Sequence, residues 1–264
     1  MTLIAIMLIT VGVADVVRRR ERFASMTWPV PSLVIALVLP PVLALAVGLT
    51  SPQDWLMLLA AAGTALAWIL TSHRSFARDE HHGLPLGILI GGLAVMALVG
   101  ASTGTDGFLT AWLSEHSLPG IQSIGGDRAL LILGALLVQI STGNLIVRLV
   151  LTHIGAIRPF GEPQPADRLK GGRLLGPMER IFILGLGLAG QVTAAGLVIA
   201  AKGIIRFPEL QAQARAEVDG VPDLSRPSST KRGPGIDELT EYFLIGSFVS
   251  WLVALSTLAL VWLG

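Results

Sequence analysis

The chain has 264 residues, 52% of them hydrophobic and 14% charged, with a formal net charge of +1 and a mean hydropathy of +0.70. A soluble domain carries about 25% charged residues to face water, so this composition excludes an ordinary water-solvated globule, and the small net charge gives no field for nucleic acid. Cysteine is absent, which excludes disulfides, thiol nucleophiles and thiolate metal sites.

The charges cluster in blocks at 18–22, 73–82, 158–180 and 202–241, and long uncharged stretches separate them. That pattern predicts an all-α, polytopic transmembrane helical bundle of about seven spans, forming one domain. Apolar stretches run at about 2–17, 29–49, 55–71, 84–101, 129–151, 181–203 and 242–263, with a long polar loop at 204–240. Each can satisfy its own backbone hydrogen bonds as a helix, the condition for crossing hydrocarbon. In the first, the basic residues Arg18, Arg19, Arg20 and Arg22 follow the apolar run instead of preceding it. It therefore reads as a retained membrane helix and not as a signal peptide. Asp15, near its end, is explained by capping or by local balance with these arginines.

Punctuation supports the next spans. Pro29 and Pro31 open the second, and Pro40-Pro41 inside it predicts a kink. Ser51, Pro52, Gln53 and Asp54 open the third, and Gly83-Leu84-Pro85 the fourth. The polar loop at 72–82 holds His73, Asp79, Glu80, His81 and His82, the one metal-like cluster. The adjacent pair His81-His82 lacks convergent ligand spacing, so a solvated loop is the expectation, with no metal and no cofactor. Loop 102–127 is expected to carry a short interfacial helix, because Phe108, Leu109, Trp112 and Leu113 share one apolar face.

Polar side chains at membrane depth are the candidate functional residues, since they are costly in hydrocarbon. In the fifth span Ser141, Asn144 and Arg148 fall on one helical face, with Gln139 nearby. In the sixth, Arg180, Gln191 and Lys202 recur at intervals of eleven residues, almost three whole turns, which predicts a narrow polar stripe. Gly187, Ala194 and Ala195 beside it, and Gly246, Ser250, Ala254 and Thr257 in the seventh span, are small faces suited to close helix packing. If spans six and seven form an antiparallel hairpin, Lys202 is expected to pair with Glu241. Arg173, Glu179 and Arg180, where the sixth span begins, are expected to contact lipid headgroups or a partner.

Loops after odd-numbered spans carry most of the lysine and arginine, which predicts an outside N-terminus and a cytoplasmic C-terminus in a bacterial cytoplasmic (inner) membrane. The sixth loop disagrees, because it holds Lys202, Arg206, Arg215, Arg226, Lys231 and Arg232. The reading taken is a full crossing by the sixth span; the alternative is re-entry, which would put this loop with the other basic ones.

Several of these residues also carry a resemblance. Gly172, Arg173, Gly176, Glu179 and Arg180 lead into a span that contains Gly190-Gln191. The run from Ala200 to Arg206, with Phe207 and Glu209, leaves it, and the run from Glu241 to Ser247, with Ser250, enters the last span. Over about 171–251 this pattern resembles the C-terminal part of an uncharacterised family of bacterial and phage-borne integral membrane proteins of unknown function. The resemblance implies a membrane location and brings no activity. Members of that family often carry histidine- and aspartate-bearing motifs in their N-terminal helices, and residues 1–130 show no such pattern.

The expected function is a non-catalytic membrane subunit that assembles with itself or with another membrane protein, amid membrane lipids and without nucleic acid. One alternative is a small-solute channel or carrier using Gln191, Lys202, Asn144 and Arg148. Another is a lipid-modifying enzyme with a cytoplasmic-face site at His73, Asp79, His81 and His82, or at Arg173, Glu179 and Arg180.

Overall fold

A computed structural model describes residues 1–20, 28–99, 107–115, 125–157, 172–218 and 236–264. All described elements are helical: α1 (Thr2–Arg20), α2 (Val30–Val47), α3 (Pro52–Arg78), α4 (Gly83–Val99), α5 (Phe108–Glu115), α6 (Gly126–Leu137), a π-helical turn (Val138–Thr142), α7 (Gly143–His153), α8 (Gly172–Leu188), α9 (Val192–Val218) and α10 (Ile236–Leu263). Helix α6, the π-turn and α7 form one long rod. Among the described residues four segments are long and apolar enough to cross a membrane: Val30–Val47, Pro52–Arg78, Gly126–His153 and Thr240–Leu263. Gly83–Val99 and Val192–Ile204 are apolar but shorter. The structure thus gives a helical bundle with four candidate spans among the described residues and does not confirm seven. The helix expected in loop 102–127 is present as α5, with Phe108 and Trp112 exposed. The basic residues between 158 and 171 and the polar loop at 219–235 lie outside the described residues.

Helix α1 is the axis. It is apolar almost all round, and Leu3 to Ile9, Val11 and Ala14 are buried, as expected of a helix enclosed on every side. Glycines let the rod approach it. A Cβ on Gly12 would lie 2.7 Å from Leu137 Cβ, and one on Gly134 2.9 Å from Leu8 Cβ. These pairings rise together in sequence, so α1 and the α6–α7 rod are parallel. Local chemistry sets the ends. Ser51 Oγ caps α3 by accepting from Gln53 N at 3.2 Å. Gly48, at φ 82°, closes α2 as Leu49 N donates to Ala44 O. Helix α2 runs through Pro40 and Pro41 as one element.

The sixth span is not one helix. Gly190 adopts φ 74°, and Gln191 N donates back to Leu186 O at 2.8 Å, a left-handed C-terminal closure. Gln191 O then accepts from Ala195 N, and α9 starts in a new direction. Lys202 Nζ lies 2.6 Å from Glu179 Oε2, although the two are 23 residues apart. A continuous helix would separate them by about 34 Å, so α8 and α9 are antiparallel legs of a hairpin. The single crossing expected for 181–203 is therefore corrected: the chain reverses at Gly190.

That reversal also corrects the expected placement of the termini. A Cβ on Gly264 would sit 2.8 Å from Met1 Cγ, so the two chain ends share one end of the bundle. At the other end, Gly83 lies beside His153, bringing the start of α4 to the end of α7. The chain lacks cysteine, which makes single-cysteine labelling clean. Gln191→Cys and a cysteine added after Gly264 should react with a membrane-impermeant maleimide from one side of the membrane, and Ala156→Cys from the other. Labelling of all three from the same side would contradict this arrangement.

Candidate functional site

The rod α6–α7 carries a buried charged cluster on each side of its π-turn. On the α1 side, Asp15 is 0% exposed. Its Oδ1 meets Arg18 Nη2 at 3.0 Å, and its Oδ2 accepts from Trp68 Nε1 at 3.1 Å and Thr142 Oγ1 at 2.8 Å. Arg18 Nη1 in turn donates to Ser72 Oγ at 2.8 Å and to Ile69 O at 3.2 Å. One carboxylate therefore ties α1 to α3 and to the π-turn. The sequence expectation for Asp15 is capping or local balance with the arginines, and the Arg18 ion pair is that local balance. The other partners of Asp15, Trp68 and Thr142, lie 53 and 127 residues away, beyond the reach of any local pattern.

The opposite side is built on Arg180, which is 1% exposed. A π-turn takes hydrogen bonds five residues back instead of four, and Gly143 N bonds Val138 O. The carbonyl of Gln139 is thereby released from the helical ladder. Arg180 takes it, with Nε at 3.2 Å and Nη2 at 2.9 Å, while Nη2 also reaches Asn144 Oδ1 at 2.6 Å and Nη1 reaches Ser250 Oγ at 3.0 Å. Only a glycine fits under the guanidinium, since a Cβ on Gly143 would lie 2.8 Å from Arg180 Nε. Next to it, Glu179 is 8% exposed. Its Oε2 pairs with Lys202, and its Oε1 accepts from Trp251 Nε1 at 2.9 Å. Lys202 also lies over the rings of Phe243 and Trp251, at 5.8 and 5.9 Å.

The expected site residues are thus regrouped. Arg180 and Asn144, read from sequence only as members of a polar set, meet directly. Lys202 joins them through Glu179 and not through Glu241, which is exposed; the hairpin brings α8 across from Lys202 first. Gln191 sits exposed at the hairpin turn, so Arg180, Gln191 and Lys202 form no stripe. Arg148 stacks over Phe76 at 5.0 Å, facing α3 instead of the Arg180 cluster. Glu179 and Arg180 are inside the bundle and do not present themselves to headgroups; the side chain of Arg173 lies outside the described residues. Gly187 and Gly246, expected to receive another helix, are filled within the chain by Leu258 and Leu151.

The histidine cluster closes a helix end. Asp79 and His81 both take φ 55°. His82 is buried, with Nδ1 2.8 Å from Ser75 Oγ and Nε2 3.2 Å from Asp79 Oδ1. Ser75 also donates to Glu80 O, while His81 is exposed. Among the described residues no group of three or more histidine, aspartate or glutamate side chains converges as a metal site. Between α9 and α10 lies an apolar groove of about 420 Å³, walled by Gly203, Phe243, Phe248 and Trp251 among others. Its remaining lining residues are Leu244, Ile245 and Ser247, and the surface it exposes is apolar.

Comparison with protein-family models, curated proteins and solved structures gives no match, so no family is assigned.

Removing one partner of a buried ion pair strands the other charge, at a cost of about 3–5 kcal/mol. Asp15→Asn should therefore lower the thermal unfolding midpoint in detergent sharply, and Asp15→Asn with Arg18→Met should recover part of the loss. Additive losses in the double variant would show that the two side chains are not coupled.

Proposed function

We propose that this chain is a non-catalytic subunit of an integral membrane assembly, and that α4 docks against a membrane-spanning helix of a second copy. The observation that carries this is a difference between glycines. Those at 12, 92, 134, 143 and 187 are each filled closely by a neighbour within the chain, as Gly92 is by Thr64. At Gly87 and Gly91 a Cβ would meet no atom of the described residues within 4 Å. A glycine inside a helix costs about 1 kcal/mol relative to alanine, and internal packing does not require these two. They stand four residues apart, hence on one face, next to the exposed Ile90 and Leu98. Small-xxx-small faces allow two backbones to approach closely in lipid, where dispersion contacts and not water exclusion drive association. Gly196 and Gly203 on α9 are likewise open and give the opposite rim a second such face.

Support for a scaffolding role for the buried charges comes from their closure. Asp15 answers Arg18, Glu179 answers Lys202, and both pairs tie helices together. The resemblance over 171–251 fits the same reading, because Glu179, Arg180, Lys202 and Ser250 belong to its pattern. For orientation, Arg74, Arg78 and the basic part of α9 lie toward the end of the bundle opposite the termini. We take that end to be cytoplasmic in a bacterial inner membrane, with both termini outside, by the bias of lysine and arginine toward the cytoplasm.

Cross-linking tests the pairing. Ala94→Cys, one turn beyond Gly91, should give a disulfide-linked dimer in membranes under mild oxidation, and the purified chain should run as a dimer by native mass spectrometry. Gly87→Ile with Gly91→Ile should yield monomer with an unchanged unfolding midpoint. A monomeric wild-type chain, or a dimer untouched by both substitutions, would remove α4 from the interface.

A further inference from the structure

Gln139 is the fourteenth residue of the 28-residue segment Gly126–His153 and so sits at the middle of that membrane span. Its side chain is 0% exposed. The amide Nε2 donates to Thr257 Oγ1, and Thr257 directs its own proton to the α10 carbonyls of Ala254 at 2.9 Å and Val253 at 3.1 Å. Thr257 can therefore only accept from Gln139, which fixes the amide with Nε2 toward α10. Gln139 Oε1 is then a buried acceptor with no donor among the described residues. Turning the amide over does not help. It would set Oε1 against a hydroxyl whose proton is already committed and leave Nε2 unpaired.

An unmet acceptor of this kind costs about 1–3 kcal/mol, and in hydrocarbon no solvent relieves it. Other polar groups around it are met: the Gln139 carbonyl by Arg180, the Thr142 hydroxyl by Asp15, and Asn144 and Ser250 by Arg180. One small donor placed at Oε1 would meet this need. Arg180 and Ser250 stand on the same side of the π-turn as Thr257 does, on α8 and α10. Internal waters occupy such positions when two to four polar partners are at hand. A cation is disfavoured there, because Arg180 already brings positive charge to the same residue.

We propose that the Gln139 side-chain amide binds one internal water at mid-membrane depth, which donates to Oε1 and completes the junction between the π-turn and α10. This stands apart from the α4 interface and does not depend on it. It gives the bundle a hydrated point in its apolar interior, between the Asp15–Arg18 pair and the Arg180 cluster.

The test is a map of the full chain in lipid nanodiscs at a resolution that shows ordered water. A peak about 2.7–3.2 Å from Gln139 Oε1 is expected. Both amide atoms packed against carbon, with no peak, would overturn the proposal. In Gln139→Leu the peak should be lost while Arg180 keeps its bonds to the residue-139 carbonyl. A peak that survives this substitution would mean that the amide is not its anchor, which also overturns the assignment. If the variant does not fold, the wild-type map decides.

Discussion

A carbonyl released from a helical ladder inside hydrocarbon must find a donor, and much of this bundle is arranged around one such carbonyl. The π-turn at Val138–Thr142 takes Gly143 N to Val138 O and leaves Gln139 O to Arg180. Widening the turn without a donor would cost the desolvation of a buried acceptor. Burying Arg180 without acceptors would cost far more. Each irregularity makes the other tolerable. Gly143, Asn144 and Ser250 then follow as necessities, supplying room for the guanidinium and two further acceptors. The turn also aims Thr142 at Asp15. One departure from α-geometry therefore couples the two charged clusters through a single helix.

Energetically these clusters are better read as devices of specificity than of stability. Taking a carboxylate and a guanidinium out of water costs several kcal/mol per ion, and their mutual attraction offsets this only with good geometry. Apolar packing around α1 would hold the helices together without them. Apolar contacts alone tolerate sliding and rotation, however, especially in lipid, which competes for the same surfaces. A carboxylate that must meet Arg18, Trp68 and Thr142 at once admits one register of α1, α3 and the rod.

What the sequence made legible follows from which interactions are local. The membrane class, the capping of α3 at Ser51 and the presence of helix α5 all rest on composition or on spacing within one helix. The hairpin was hidden because its break, Ala189-Gly190-Gln191, lies within an apolar run long enough to span a bilayer, and run length cannot distinguish one crossing from two short legs. Two signals did point to it. The basic residues of the sixth loop conflicted with the charge rule under a single crossing, and Gly185, Gly187 and Gly190 crowd the turn. Of the bonds of Asp15, the pair with Arg18 was legible at three residues' spacing, whereas those to Trp68 and Thr142 come from distant helices and were out of reach. Glycine roles were equally unreadable: Gly87 and Gly187 look alike in sequence, and only packing shows that Leu258 fills one and no described residue fills the other.

The partner of Lys202 shows how topology overrides a sound local argument. Lys202 and Glu241 flank the same loop whether or not the chain turns at Gly190, but the turn brings a second acid, Glu179, to within 2.6 Å of Lys202. Once the chain turns at Gly190, residues equally far from the turn face each other at one depth. Lys202 is twelve residues beyond it and Glu179 eleven before it. The pair lies within the hairpin itself. Trp251 and Phe243 of α10 pack on it, Trp251 donating to Glu179 and both presenting ring faces to Lys202. The eleven-residue recurrence of Arg180, Gln191 and Lys202 is therefore real, but its meaning is mirror symmetry about a turn and not a stripe along a helix.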